Sequence, residues 1–319
     1  MYQLIIVGGG PGGLTAGLYA ARASLDVLLV DKAAVGGQVL LTDWIENYPG
    51  FPQGVSGFAL ADKMSAQANR FDLPQILGQV ASMNLYGEVK SVLMADGKTL
   101  KARAVIIATG ARPNKLNVPG EEEFAGKGVS YCATCDGPFY RNMRVAVVGG
   151  GDTAVQEAVY LTKFAKKVTI IHRRDELRAT PIIQETAFRH KRVDFICDAE
   201  VIGIDGQKEV GGLRLRYQDG QEESRPFQGV FILIGVTPNN ETLTGTQLEM
   251  RDGFVVTNCM MQSNIPGVMA IGDIRADSIR QVISAAGDGA VAEKAAEMYL
   301  EHLHNNTQAV TQHRKCTCR

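Results

Sequence analysis

A chain of 319 residues is too long for one comfortable hydrophobic core and has the size of two domains. Its 45% hydrophobic and 21% charged residues are ordinary for a globular protein. The formal charge of -1 gives no electrostatic reason to expect nucleic acid or an anionic membrane as a partner. The longest apolar stretches, at 145–148 and 230–234, are strand-length and far short of the roughly 18 to 20 residues of a spanning helix. Met1 runs straight into a strand and a glycine loop with no room for a signal peptide, so the expected location is the cytoplasm. Six cysteines there are expected to be catalytic, metal-binding or free rather than a structural disulfide framework.

In chain order, Leu4-Ile5-Ile6-Val7 is short, apolar and β-branched, as a buried strand should be. Gly8-Gly9-Gly10-Pro11-Gly12-Gly13 follows, and residues 14–23, rich in alanine and leucine, predict a helix. Val27-Leu28-Leu29-Val30 is a second strand that ends at Asp31, completing a βαβ unit. The pattern returns with a strand at 144–148, Gly149-Gly150-Gly151, a helix predicted over 153–164, and Val168-Thr169-Ile170-Ile171 ending at His172. From the first loop glycine to the residue closing the second strand is 23 positions in both copies, and two matched units imply two nucleotide sites.

Further strand ends fall at Ala108-Thr109-Gly110, Ile234-Gly235 and Gly272-Asp273. A last helix is predicted over 281–303, and the polar tail from Asn305 is expected to be mobile. Loop punctuation at 112–120 and 236–240 marks two linkers. The expected fold is α/β, with two Rossmann-like dinucleotide-binding domains, the second inserted into the first. The expected boundaries are 1–114 and 245–319 for the outer domain and 115–244 for the inserted one.

A glycine turn between strand and helix lets backbone N–H groups and the helix N-terminus face a pyrophosphate. Gly8, Gly10 and Gly13 have the required spacing, and Gly149, Gly151 and Ala154 have its variant, with Gly150, Asp152 and Thr153 in the same turn. The strand-end residues separate the two ligands. Asp31 can accept hydrogen bonds from a free adenosine ribose and would repel a 2′-phosphate. His172-Arg173-Arg174, with Arg178, instead offers three guanidiniums suited to a phosphate dianion. The first site should therefore hold FAD or NAD and the second NADPH. The competing reading makes the three arginines a solvated cluster paired with Asp175 and Glu176.

Tyr131-Cys132-Ala133-Thr134-Cys135-Asp136-Gly137-Pro138-Phe139 holds a Cys-x-x-Cys pair. That spacing permits a small reversible disulfide ring and can lower one thiol's pKa enough to give a nucleophile near neutral pH. Half of a zinc site is the alternative, but it needs two more ligands at suitable spacing, and only the loosely placed Cys316, Cys318 and tail histidines offer any. No metal is expected. Asp136 is placed either to hand a proton to a leaving thiolate or flavin, or simply to open the turn at Gly137.

Taken together, Gly8 to Gly13, Gly36-Gly37-Gln38, Asn47-Tyr48-Pro49-Gly50, Ala108-Thr109-Gly110, the cysteine pair with Asp136-Gly137, Gly149 to Ala154, His172 to Arg178, and Gly272-Asp273 with Arg280-Gln281 resemble the low-molecular-weight thioredoxin reductase family over nearly the whole chain. The resemblance implies an FAD domain split in sequence around a smaller NADPH domain that carries the cysteines, and homodimeric subunits. It also implies that NADPH reduces the flavin in one domain orientation and the flavin reduces the disulfide after a large rotation. By resemblance, Gly8, Gly9, Gly10, Pro11, Gly12, Gly13, Asp31, Lys32, Gly36, Gly37, Gln38, Asn47, Thr109, Asp273, Arg280, Gln281 and Val282 would line FAD. Val80, Ala108, Gly110, Ile234, Gly235 and Gly272 complete the expected cofactor-binding set. Cys135 would be the sulfur nearest the flavin, Cys132 the thiol that attacks thioredoxin or a thioredoxin-like protein, Asp136 the acid, and Phe139 part of the docking surface.

The chain departs from the family pattern at three places. Val282 stands where alanine is common, Pro138 replaces an aromatic residue found in some members, and the Cys316/Cys318 tail has no counterpart. Cys197 and Cys259 read as small core fillers. Two rival functions share this architecture: a dithiol oxidase that has no need of NADPH, and a redox sensor or zinc module that keeps only the nucleotide fold.

Overall fold

The computed structural model describes the backbone of residues 1–315 and the side chains of all of these except 41 and 306–315. The chain forms two compact units: Met1–Arg112 joined with the chain from Pro238 onward, and Pro113–Thr237. In chain order the first unit contributes β1 (Tyr2–Val7), α1 (Pro11–Arg22), β2 (Val27–Asp31), α2 (Gly57–Asn69), β3 (Gln75–Leu77), β4 (Val80–Asn84), β5 (Lys90–Met94), β6 (Thr99–Ile107) and most of β7 (Ala111–Pro113). The second unit follows with β8 (Val129–Ser130), α3 (Ala133–Asp136), β9 (Arg144–Val148), α4 (Asp152–Leu161), β10 (Lys167–Ile171), α5 (Pro181–Phe188), β11 (Val193–Ile196), β12 (Ala199–Gly206), β13 (Val210–Tyr217), β14 (Glu222–Pro226) and β15 (Gly229–Ile232). Strand β16 (Val236–Pro238) pairs with β7 where the chain passes back to the first unit. That unit is then completed by β17 (Met250–Arg251), β18 (Phe254–Val255), β19 (Val268–Ala270) and α6 (Val282–Lys315).

The first unit's main sheet runs β3-β2-β1-β6-β5-β4. The nine-residue β6 pairs antiparallel with β5 through its first half and parallel with β19 at Val105, Ile106 and Ile107. Its central strands are continuous apolar runs because both faces are covered. Successive side chains alternate between two cores: Ile5, Val7, Leu28, Val30, Val105 and Ile107 enter one, and Leu4, Ile6, Val27, Leu29, Ala104 and Ile106 enter the other. The second unit repeats this on the order β11-β10-β9-β15-β8. Ala146, Val148 and Ile171 face the meander β12-β13-β14, while Val145, Val147 and Ile170 face α4.

Several boundaries differ from the sequence expectation for identifiable reasons. Helix α1 begins at Pro11, not residue 14, since proline is well suited to the first helical position and Gly10 caps it in extended conformation. Helix α4 runs Asp152–Leu161 and tightens into turns through Phe164, whose carbonyl accepts the Asn142 N–H. The chain rejoins the first unit at Pro238, before the expected residue 245, because Leu243 is buried in that unit's core beside Val80 and Leu248. Helix α6 continues past residue 303 to Lys315, so the backbone of the expected mobile tail is helical that far. Cys259 is exposed and Cys197 half-buried, so neither is the fully buried filler expected. The Cys316/Cys318 pair lies outside the described residues.

Candidate active site and nucleotide cradles

In the first unit the glycine loop is shaped by close backbone approaches. A Cβ on Gly13 would sit 1.8 Å from the Gly8 carbonyl oxygen, whereas a Cβ on Gly10 would meet nothing within 4 Å. Gly10 therefore faces open space at the head of α1, where the first-turn N–H groups of Gly12 and Gly13 have no intrahelical acceptor. That is the shape a pyrophosphate requires. Asp31 closes the loop from the end of β2: its Oδ2 accepts the Gly9 N–H at 2.5 Å and its Oδ1 accepts the Ala33 N–H at 2.9 Å. Lys32 is exposed beside it. Gly36 donates its N–H to the Gly9 carbonyl at 2.7 Å, which brings Gly37 and Gln38 against the same loop.

The remaining first-unit residues expected at the cofactor come from distant parts of the chain. Asn47 donates its side-chain N–H to Gln281 at 3.0 Å, across 234 positions of sequence. Val282 starts α6 and packs against Val39, Ile45, Val55 and Leu60. Thr109 has a buried hydroxyl with no partner within the protein, an orphan that a ligand would satisfy, and its carbonyl is held by Asn239 at 2.8 Å. Ala108 and Gly110 flank it beyond β6. Val80, at the start of β4, is buried in the core. Burial raises the Asp273 pKa, opposed by the Arg280 charge and the Ser278 hydrogen bond. Arg280 lies over the Phe254 ring at 5.2 Å.

Two residues that sequence reasoning passed over hold this turn. Asp288 Oδ2 accepts the Gly272 N–H at 3.0 Å and pairs with Arg275 at 2.9 Å, and both side chains are largely buried. Their sequence signal is a carboxylate set within the glycine- and alanine-rich opening of α6.

The second unit repeats the cradle with different chemistry at the strand end. Gly151 would meet nothing with a Cβ, and Asp152, Thr153 and Ala154 open α4. Gly149 turns at φ +146°, and the His172 ring packs so tightly on Gly150 that a Cβ there would come within 2.5 Å of it. His172 is buried with its Nε2 unpartnered. Burial and then the charges of Arg178, Arg174 and Arg173 hold its pKa below the ordinary histidine range, so it is neutral at pH 7. Arg173, Arg174 and Arg178 are exposed around it. None of the ion pairs found among the described residues draws on them, so they are not paired with Asp175 or Glu176. The Arg178 and Ala179 N–H groups both bond the Gly150 carbonyl, tying the basic segment to the loop. Ile234 and Gly235 lie beyond β15, where both of their carbonyls accept hydrogen bonds from Asn114.

Cys132 and Cys135, in the same unit, are joined as a disulfide with Cα atoms 5.3 Å apart, and both are half-buried. A bonded pair offers no thiolates to zinc. Cys132 caps the single turn α3 and accepts the Cys135 N–H on its sulfur at 3.2 Å, a donor that favours a thiolate once the bond opens. Asp136 ends that turn. Ser130 Oγ donates to its Oδ2 at 2.6 Å and accepts the Cys132 N–H at 3.1 Å. From α4, Glu157 accepts the Ala133 N–H at 3.0 Å, and burial raises its pKa while that hydrogen bond opposes the rise. The buried Glu121 carboxylate takes the Leu116 and Asn117 N–H groups and the Tyr131 hydroxyl, fixing the approach to Cys132. Phe139, three residues past Asp136, is exposed. Sequence reasoning missed Ser130, Glu121 and Glu157. Only Glu157 left a signal, as a charge spaced three and four positions from Ala154 and Leu161 on the buried stripe of α4.

The model of the pyridine nucleotide-disulphide oxidoreductase family matches residues 2–289. This chain belongs to that family. Among its members, thioredoxin reductase of Listeria monocytogenes is 45% identical over 312 residues, 97% of each chain, and that of Bacillus subtilis is 42% identical over 312 residues, covering 97% of this chain and 98% of that one. The crystal structure of thioredoxin reductase from Streptococcus pyogenes MGAS5005 superposes with a TM-score of 0.91 at 45% identity, covering 95% of this chain and 99% of that chain. Thioredoxin reductase from Giardia duodenalis gives 0.90 at 33% identity, over 94% and 99%. For a family member, then, the α/β fold and a redox-active disulfide are in place. No helix among the described residues is long and apolar enough to cross a membrane.

Proposed function

We propose that this chain reduces the disulfide of thioredoxin with electrons from NADPH, relayed through FAD to Cys132 and Cys135. The observation that carries the reading is the half-exposed Cys132–Cys135 disulfide, built on the same unit as a glycine cradle that ends in three exposed arginines. The relatives' names and the orphaned Thr109 hydroxyl beside the other cradle support it. Both cradles fit their groups: open space at Gly10 and Gly151 for the pyrophosphates, Asp31 for an unmodified ribose, and Arg173, Arg174 and Arg178 for a 2′-phosphate. When bound, the nicotinamide and flavin supply hydride transfer and its conversion into disulfide reduction.

The chain's own residues do the rest. Opening the Cys132–Cys135 bond takes two electrons and two protons, one of the protons arriving from solvent through Asp136. The Cys132 thiol then gives up its proton and, as the thiolate, attacks a sulfur of the partner's disulfide, forming a mixed disulfide and releasing the partner's other sulfur as a thiolate that takes up that proton. Attack by Cys135, which likewise gives up its proton, on the Cys132 sulfur releases the second partner sulfur as a thiolate that takes up that proton, and restores the internal disulfide. Overall, NADPH, one proton and the partner disulfide become NADP⁺ and the partner dithiol. The exposed Phe139 would offer a docking protein an apolar contact, and the enzyme is read as a cytoplasmic homodimer.

The test is Cys135→Ser in the flavin-loaded protein. NADPH should still bleach the flavin while thioredoxin turnover falls by at least about a thousandfold. Wild-type turnover in that variant would remove the cysteine pair from the relay. Comparing thioredoxin with other disulfide proteins as substrates identifies the preferred partner.

A further inference from the structure

Ser130 is 3% exposed at the end of β8, two residues before Cys132. Its hydroxyl has two acceptors in reach, the Asp136 carboxylate at 2.6 Å and the Cys132 carbonyl at 3.3 Å, and its single proton goes to the nearer, charged one, while its lone pairs take the Cys132 N–H at 3.1 Å. One side chain thus grips both ends of the Cys-x-x-Cys turn, the backbone of the attacking cysteine and the carboxylate that follows the second one. A hydrogen bond donated to a carboxylate favours its ionised form, and in a partly buried setting it also fixes which way the oxygens point. The Asp136 charge also reaches the Tyr140 hydroxyl, whose pKa is pushed upward by burial first and then by that charge.

We propose that Ser130 is a positioning residue of the disulfide-reduction cycle, setting the orientation and proton affinity of Asp136 and acting through that carboxylate rather than on the sulfurs. This rests on the disulfide-reductase reading above. When the Cys132–Cys135 bond accepts two electrons, the sulfur released leaves as a thiolate and takes its proton from Asp136, which is then reprotonated by solvent. An acid works only while protonated, so activity falls as pH rises through its pKa. Removing the Ser130 donor raises that pKa and moves the falling limb to higher pH.

The experiment is the pH profile of thioredoxin reduction by the flavin-loaded protein, comparing wild type, Ser130→Ala and Ser130→Thr. The alkaline limb should move up by roughly one pH unit in Ser130→Ala, a tenfold change in proton affinity, and return in Ser130→Thr, which keeps the hydroxyl. The limb should be insensitive to Ser130→Ala once Asp136→Asn is also present, as coupled residues require. Flavin content and thermal midpoint report folding. If Ser130→Ala retains no flavin, Ser130→Gly lacks the same donor and gives the same reading. An unmoved limb, or a uniform loss at every pH that threonine fails to restore, overturns the proposal. Cys135→Ser separates this from failure of the parent reading: turnover surviving in that variant sinks the relay itself, whereas turnover lost there with an unmoved Ser130 limb sinks only the role of Ser130.

Discussion

The two strand–loop–helix units share a 23-position spacing, a glycine turn with one open position, and strands buried on both faces, yet their strand ends carry opposite chemistry. In the first unit Asp31 turns inward and spends its carboxylate on the N–H groups of Gly9 and Ala33, so the acid both shapes the loop and remains an acceptor for a ribose. In the second, the corresponding residue is His172, buried and neutral against Gly150, and the charged groups are the exposed arginines after it. The same fold thus separates scaffold from recognition differently. One residue both shapes the loop and offers an acceptor in the first unit; in the second, a packed ring supports the loop and the charge sits on exposed arginines beyond it.

That comparison can be broken first at the glycines. Gly13→Ala must move the Gly8 carbonyl, so we expect a stability loss of about 3 kcal/mol or failure to fold, whereas Gly10→Ala should fold within about 0.5 kcal/mol of wild type and lose flavin affinity instead. Thermal midpoints and flavin per chain distinguish them, and equal midpoints would show that the close approach is not rigid. Next, Arg173→Ala combined with Arg174→Ala should raise KM for NADPH roughly a hundredfold, the loss of charge-assisted bonds worth about 1.5–3 kcal/mol each, while leaving KM for NADH within about twofold. A parallel rise for both nucleotides would deny these arginines their phosphate.

A smaller effect is expected at the first unit's buried cation. Lys90 is 1% exposed and donates to the Gly87 carbonyl at 2.8 Å and the Tyr299 hydroxyl at 3.2 Å, so Tyr299→Phe should cost about 1–3 kcal/mol by chemical denaturation. The smallest is a pH slope. Because the folded-state pKa of His172 is depressed, the unfolded chain binds more protons near its ordinary value, and stability should fall as pH drops through about 6.5. His172→Gln should flatten that slope between about pH 7 and 5, as measured by urea unfolding, and an unchanged slope would place the titrating group elsewhere.

Much of the fold was legible before any coordinates because its signals are local. Apolar runs of four or five residues, glycine turns and strand-end residues mark each βαβ unit, and the Cys-x-x-Cys spacing marks the redox turn. Boundaries were less legible where a distant neighbour decides them. Gly12 and Gly13 read as loop, but they belong to α1, which starts at Pro11 with Gly10 as its cap, and the Gly8 carbonyl packs so close to Gly13 that only glycine fits there. Residues 238–244 read as part of the inserted domain, but Leu243 is claimed by the first unit's core. Cys259 lies in a turn and is exposed although its neighbours are strand-like.

By itself the sequence determined the two glycine turns, the contrasting residues at their strand ends and the identity of the redox pair, because those depend on spacing within a few turns of chain. Only the tertiary structure decided which carboxylates and hydroxyls surround that pair. Glu157 reaches Ala133 from 24 positions away, and Ser130 meets Asp136 only because β8 and the cysteine turn fold back on one another. Hydrogen bonds act over about 3 Å, and no periodicity in the chain announces which distant groups packing will bring that close.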